Sequence, residues 1–212
     1  MADELAKAIT KVIFPALKAQ GFHRARKRDL VRVENGIAHL LYFQVSGHGG
    51  RDFCVTACAN LVAANELVSL QPGFRLTRDT DGGDLWLPSH TAHEAERSAQ
   101  VVLVSIQAEA LPYFETIRTL AGLSALLAKE RWASTHHLSF QRGVAAALQG
   151  DTAAATRHLA DAIQLYEADG RDWCADFIQR ANALLHALQA KSAPALLLAS
   201  WYEANRKEHG VR

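Results

Sequence analysis

The sequence predicts an α+β protein: an N-terminal helix on an antiparallel β-meander of three to five strands, followed by an all-α C-terminal half of four to six helices. Three observations predict it. An apolar period near 3.6 residues in the first twenty positions reads as an amphipathic helix. Three strand-length apolar runs follow, separated by Asn35-Gly36 and by Gly47-His48-Gly49-Gly50, which are hairpin and loop signals. Alanine, the strongest helix former, then rises from 14 residues in positions 1–106 to 24 in positions 107–212. We place the division near residue 130, with 1–130 as the α+β domain and 131–212 as a helical region packed on or beside it.

In chain order, Leu5, Ile9, Val12, Ile13, Ala16 and Leu17 put one apolar face on a helix over residues 2–20, with Pro15 as a kink and Gly21 as its left-handed end. Residues 22–34, 37–46 and 52–62 read as three meander strands. Asn35-Gly36 is the strongest local signal, because both central residues of a type I′ turn need positive φ. Two shorter strands are expected at 74–78 and 85–87, around the turn Asp81-Gly82-Gly83-Asp84. Thr91 and Glu94 form the spacing of a capping box, and the helix they start is expected to be interrupted at Pro112. A further helix is expected from Tyr113 to about Lys129. Gly150-Asp151 ends one later helix and caps the next, Gly170 ends that one, and Ser192 is placed to cap the last. Gly143, Gly150, Ala155, Leu159 and Ala162 match the offsets of one tetratricopeptide-like hairpin over about 136–169, and Trp173 follows at a matching offset without the small residues of a second unit.

The chain of 212 residues is 49 % hydrophobic and 21 % charged, which excludes disorder, collagen and a coiled-coil rod. Lysine plus arginine number 23 against 22 acids, a net charge of +1, so no global field draws it to nucleic acid or membrane. Cys54, Cys58 and Cys174 are an odd number in a chain that needs no staples, which fits a reducing compartment. The first residues lack the basic start and apolar stretch of a secretory signal, and no apolar run reaches the roughly 20 residues of a membrane span. The expectation is a cytoplasmic protein.

A series of features matches a known family in order and spacing: Leu17-Lys18 before Gly21-Phe22, the basic segment His23 to Arg28, Leu30 with Arg32, the hairpin into Phe43-Gln44, the strand Phe53-Cys54-Val55-Thr56-Ala57, then Arg75, Trp86 and Leu111-Pro112-Tyr113-Phe114. Over about residues 5–120 the chain resembles the bacterial domain of unknown function 4304. Thr56 stands where members often carry asparagine, and Cys58 where they often carry glycine. The resemblance implies a helix on an antiparallel sheet followed by helices, and no activity.

The densest charge lies over residues 21–34, where five lysines and arginines face Asp29 and Glu34, a local +3. Read as a strand, period 2 puts Arg24, Arg26, Arg28 and Arg32 on one face, a row of guanidiniums suited to phosphate or carboxylate. The competing reading is a solvated strand whose charges protect a sheet edge. On the next strand His39 shares a face with Ile37, Leu41, Phe43 and Val45, while Tyr42 and Gln44 share the other, and both faces are apolar enough for a sheet covered on both sides. A histidine there is ordinarily a satisfied buried or rim residue.

No assembled chemistry is expected elsewhere. His90-Thr91-Ala92-His93-Glu94 lacks a zincin spacing, and His136 with His137 point about 100° apart on a helix, so no metal site and no cofactor are predicted. Cys54 and Cys58 are about 13 Å apart on a strand, too far to pair. The run from Asp79 to Asp84 has no glycine at the sixth position and no glutamate at the twelfth of a calcium loop, and Gly47-His48-Gly49-Gly50 precedes a strand where a phosphate loop precedes a helix.

Two readings of function follow. The first is a non-catalytic protein- or anion-binding module that engages an acidic protein through Arg24, Arg26 and Arg28. The second is an enzyme or small-ligand protein with a pocket between sheet and helices, drawing on Arg32, His39, Tyr42, Gln44 and Trp86. Nucleic-acid binding through the basic strand is a weaker third, given the net charge. No catalytic residue is assigned, and monomer and homodimer both stay open.

Overall fold

A computed structural model describes residues 3–47, 51–64, 72–131, 135–190 and 194–208. The expected turn at 48–50 and the expected cap at Ser192 lie outside them. The architecture is α+β as expected. Helices α1 (Glu4–Ala8) and α2 (Phe14–Lys18) form one N-terminal rod. A five-stranded antiparallel meander follows, with order β1 (His23–Arg24), β2 (Leu30–Glu34), β3 (Ile37–Val45), β4 (Phe53–Leu61) and β5 (Gly73–Arg75). The rest is helical: α3 (Ala92–Ser105), α4 (Leu111–Thr116), α5 (Leu120–Lys129), α6 (Thr135–Leu148), α7 (Thr152–Asp169), α8 (Cys174–Gln189) and α9 (Pro194–Glu208). Among the described residues no helix is long and apolar enough to cross a membrane.

Proline shapes both rods. Pro15 has no N–H and its ring crowds the carbonyl one turn back. The strain is taken up in a π-helical segment, Ile9–Ile13, that joins α1 to α2, with the Phe14 N–H donating to the Ile9 carbonyl. The same solution recurs before Pro112: the π segment Ile106–Ala110 joins α3 to α4, and the Leu111 N–H donates to the Ile106 carbonyl. The expected interruption at Pro112 is therefore a local widening of the turn. The true break comes later, at Ile117, before Thr119 caps α5 through the Gly122 N–H. Thr91 and Glu94 form the capping box of α3.

The hairpin reading of Asn35-Gly36 holds, with φ of 51° and 78° at the two residues and β3 paired to β2 from Glu34↔Ile37 to Leu30↔Leu41. The expected single strand over 22–34 does not form. Its first half stops at Arg24, because the Ala25 N–H donates to the Asp29 carbonyl and closes a loop over 25–28. Asp29 anchors that loop: it is buried and accepts the Phe43 backbone N–H. The two shorter strands contract as well. Only Gly73–Arg75 pairs with β4, while Arg78 and Asp84, and Phe53 and Leu87, meet in isolated bridges.

One sheet face carries Leu30, Ile37, Leu41, Phe43, Val55 and Ala57, packed with Ile9, Ile13 and Leu17 of the N-terminal rod and with Ala99, Val102, Ile106 and Phe114 of the second rod in one continuous core. The opposite face holds a smaller cluster, Val31, Ala38, Leu40, Cys58 and Val62, against which Tyr202 of α9 packs. Asn205 on α9 donates to the Val62 carbonyl at 2.5 Å, and Gln141 on α6 donates to Asn60 Oδ1 at 3.2 Å. The sheet is thus covered on both faces. Helices α6 and α7 pack as a close pair because Gly143 leaves room: a Cβ there would stand 2.7 Å from Leu159 Cγ. Asp151 caps α7 through the Ala154 N–H, and Gly170 ends it in the left-handed region. The larger core runs without interruption from the sheet into α6, α7 and α8.

Candidate functional site

The residues singled out from the sequence are spread over several places, and of the eight only Arg32 and His39 are hydrogen-bonded to each other among the described residues. Arg24 is turned inward: Nη1 donates to Thr10 Oγ1 at 2.6 Å, and Nη2 donates to the carbonyls of Lys27 at 2.6 Å and Ala6 at 3.3 Å. Arg28 turns to the N-terminal helix, where Nε and Nη2 donate to Asp3 Oδ2 at 3.2 and 2.9 Å. Arg32 is nearly buried. Its Nε donates to His39 Nδ1 at 3.1 Å, Nη2 donates to Glu115 Oε1 at 3.3 Å, and its guanidinium lies 5.3 Å from the centre of the Phe22 ring. Arg26 is exposed on the loop. The continuous row of guanidiniums expected from a strand is therefore absent, because the chain bends at 25–28 and aims each arginine differently.

The residues of the expected sheet pocket do not converge. His39, fully buried, stacks on Phe114 with ring centres 4.8 Å apart. Burial first, and then the Arg32 and Arg118 charges, hold its imidazole down to about 3, so it is neutral at ordinary pH. With Nδ1 accepting from Arg32, the Nε2–H is the remaining donor, and Nε2 is buried without a hydrogen-bond partner. Tyr42 and Gln44 lie across the sheet from it. Gln44 Oε1 accepts from Arg75 at 3.4 Å, and Arg75 also donates to Thr56 Oγ1 at 2.7 Å and pairs with Asp84 at 2.9 Å. Trp86 lies half-exposed between the two isolated bridges.

Burial pushes the Cys54, Cys58 and Cys174 thiols above their ordinary value, the wrong direction for a nucleophilic thiolate. Burial likewise raises Tyr113 and Tyr166. His90 pairs with Asp52 at 2.8 Å, and among the described residues no three His, Cys, Asp or Glu side chains converge to hold a metal ion. His136 and His137 belong to an aromatic cluster. His137 stacks on Trp173 at 5.2 Å, and its Nδ1 hydrogen-bonds the Tyr166 hydroxyl at 2.8 Å.

What the basic segment does build is a cavity. It has a volume of about 260 Å³ and is lined by Asp3, Glu4, Leu5, Lys27, Arg28, Val45, Arg51 and Ser89. Three cations and two carboxylates therefore face it. Lys27 Nζ reaches Asp3 Oδ2 at 2.9 Å, and its side chain is 71 % exposed against 12 % for Asp3. Burial works to raise the Asp3 carboxyl, but hydrogen bonds from Lys27, the Ala6 N–H and Arg28 prevail and hold it down to about 2. Asp3 Oδ1 also accepts the Ala6 N–H at 3.0 Å and so caps α1. On the far wall the Ser89 hydroxyl donates to the Arg51 carbonyl, and Arg51 Nη1 donates to the His90 carbonyl at 3.2 Å. The walls are held by these bonds, while Arg26 is exposed and Lys27, though paired with Asp3, keeps most of its side chain in solvent.

Asp3, Lys27, Arg51 and Ser89 were not singled out from the sequence as site residues. Asp3 has a local signal as the cap residue before an apolar period. Its place beside a basic loop 25 residues away has none. Comparison of the chain with protein-family models, with curated proteins and with solved structures finds no match.

Proposed function

We propose that the chain is a non-catalytic binding module whose ligand is the carboxylate-rich surface of an acidic protein, held at the loop 25–28 and the cavity behind it. The observation that carries this reading is the cavity itself, faced by Lys27, Arg28 and Arg51 against Asp3 and Glu4. Arg24 and Asp29 hold the backbone of the loop in shape, so the positions from which its cations project are set before any ligand arrives, which lowers the cost of binding. A guanidinium already engaged side-on suits a planar carboxylate.

The reading of an enzyme pocket under the sheet has less support, because Arg32 and His39 lie on one face and Tyr42 and Gln44 on the other. We keep the likeness to the domain of unknown function 4304 as part of the proposal; it adds a fold and no activity. The three cysteines are free and buried, which supports action in the reducing cytoplasm.

The test is a titration of the full chain with a fluorescently labelled hexaglutamate peptide, at low and at high salt. Binding is expected to weaken as salt rises, since exposed charge pairs are screened. An Arg26→Glu/Lys27→Glu variant, altered where side chains face solvent, is expected to bind about tenfold more weakly, near 1.4 kcal/mol. Equal binding by the variant, or tighter binding of a DNA duplex than of the peptide, overturns the reading.

A further inference from the structure

We infer that the Asp3 carboxylate is a tethered stand-in for the ligand, and that a carboxylate of the acidic partner exchanges with it on Lys27 and Arg28, so that the N-terminal segment gates the site. The inference rests on the cavity reading above and names the group that the cavity takes.

The geometry divides the work of Asp3 between its two oxygens. Oδ2 accepts from Arg28 Nη2 at 2.9 Å and Nε at 3.2 Å, and meets Lys27 Nζ at 2.9 Å. Oδ1 makes the 3.0 Å cap to the Ala6 N–H and only a longer contact, 3.4 Å, to Arg28 Nε. One oxygen thus holds the helix and the other occupies the cations. The occupied seat is a side-on guanidinium completed by an ammonium, which is the arrangement that recognises a carboxylate.

The seat is within reach of solvent from the cavity side. Lys27 is largely exposed, and the cavity of about 260 Å³ holds several times the roughly 30 Å³ share of one water molecule, enough for the end of an aspartate or glutamate side chain. Glu4 lines the same cavity but pairs with Lys7 at 3.0 Å and not with the basic loop. Of these two neighbouring carboxylates, Asp3 sits in the seat and Glu4 does not. A competitor fixed to the chain lowers apparent affinity by the fraction of time it leaves the seat open. Its removal must then tighten binding by more than the loss of one nearby charge.

The experiment compares hexaglutamate binding by the full-length wild type, Asp3→Asn and Glu4→Gln, with inorganic phosphate as a second probe. Asparagine caps helices as well as aspartate, so the first variant keeps the helix start; Asp3→Ser, another capping residue, serves the same purpose should the first unfold. Asp3→Asn is expected to bind the peptide about tenfold more tightly than wild type, and Glu4→Gln no more than about threefold. In the wild type the Ala6 amide resonance is expected to move on peptide addition, as Asp3 leaves the cations. Equal tightening by the two variants, or none by Asp3→Asn, overturns the exchange and leaves the cavity reading standing. Phosphate bound more tightly than the peptide by Asp3→Asn overturns the assignment of a carboxylate. Absence of peptide and phosphate binding in wild type and variants alike overturns the cavity reading and the exchange together.

Discussion

Lowering the pH from 7 to 5 is expected to destabilise the chain by about 2 kcal/mol through His39, with a smaller contribution from His137, which solvent partly screens. Both imidazoles are held below their ordinary value. For His39 the causes are burial and then the Arg32 and Arg118 charges, to about 3. For His137 they are burial, then His136 and Arg171, opposed by Asp169, to about 4. The unfolded chain takes up a proton on each histidine near pH 6.5 while the folded chain stays neutral, so the unfolded state binds more protons throughout the interval. Stability is therefore complete above about pH 6.5 and falls as the pH drops toward the folded values, by about 1.4 kcal/mol per unit for His39 and by less for the partly exposed His137. Urea unfolding at pH 7 and pH 5 measures the difference. His39→Gln, which still offers an acceptor to Arg32, is expected to remove most of the pH dependence. Equal midpoints at the two pH values would mean that neither imidazole is protected as the structure places it.

The second large effect is expected at Tyr166. Its side chain is fully buried where α6, α7 and α8 meet. It stacks on Phe177 at 5.1 Å, meets Trp173 edge-on at 6.1 Å and hydrogen-bonds His137. Tyr166→Ala is expected to cost about 3–5 kcal/mol, the range for emptying a buried aromatic site. Tyr166→Phe is expected to cost about 1 kcal/mol, the worth of one neutral hydrogen bond. Because the core is continuous from the sheet into these helices, the alanine variant is expected to unfold in a single transition at lower urea. A first transition confined to the helical half would show that the two halves are stabilised separately.

Local chemistry made the elements legible where a residue type has one conformational solution. Asn35-Gly36 announced its turn, Thr91 with Glu94 its capping box, and Gly150-Asp151 the corner between α6 and α7. The apolar residues on both faces of β3 foretold a sheet covered on both sides, which Tyr202 and the N-terminal rod supply. Pro112 misled because a proline can be absorbed by a π-helical turn as well as by a break. The basic segment misled for a different reason. A strand period aligns four arginines only if the chain stays extended, and the buried Asp29 bends it. The candidate site was half legible. Its cations stand together in sequence, but Asp3 joins Arg28 across 25 residues and Ser89 joins Arg51 across 38. Contacts over such separations depend on tertiary packing, and no local pattern encodes them.

The most direct test of the central claim is where an acidic ligand lands on the folded chain. Titration of isotopically labelled protein with hexaglutamate, followed by amide resonances, locates it. The shifted amides are expected to centre on Asp3 to Ala6, on Ala25 to Asp29, and on Arg51 and Ser89 around the cavity, with little change in α7 and α8. Shifts centred instead on the aromatic cluster of His136, His137 and Trp173, or spread evenly over the exposed lysines and arginines, would contradict it.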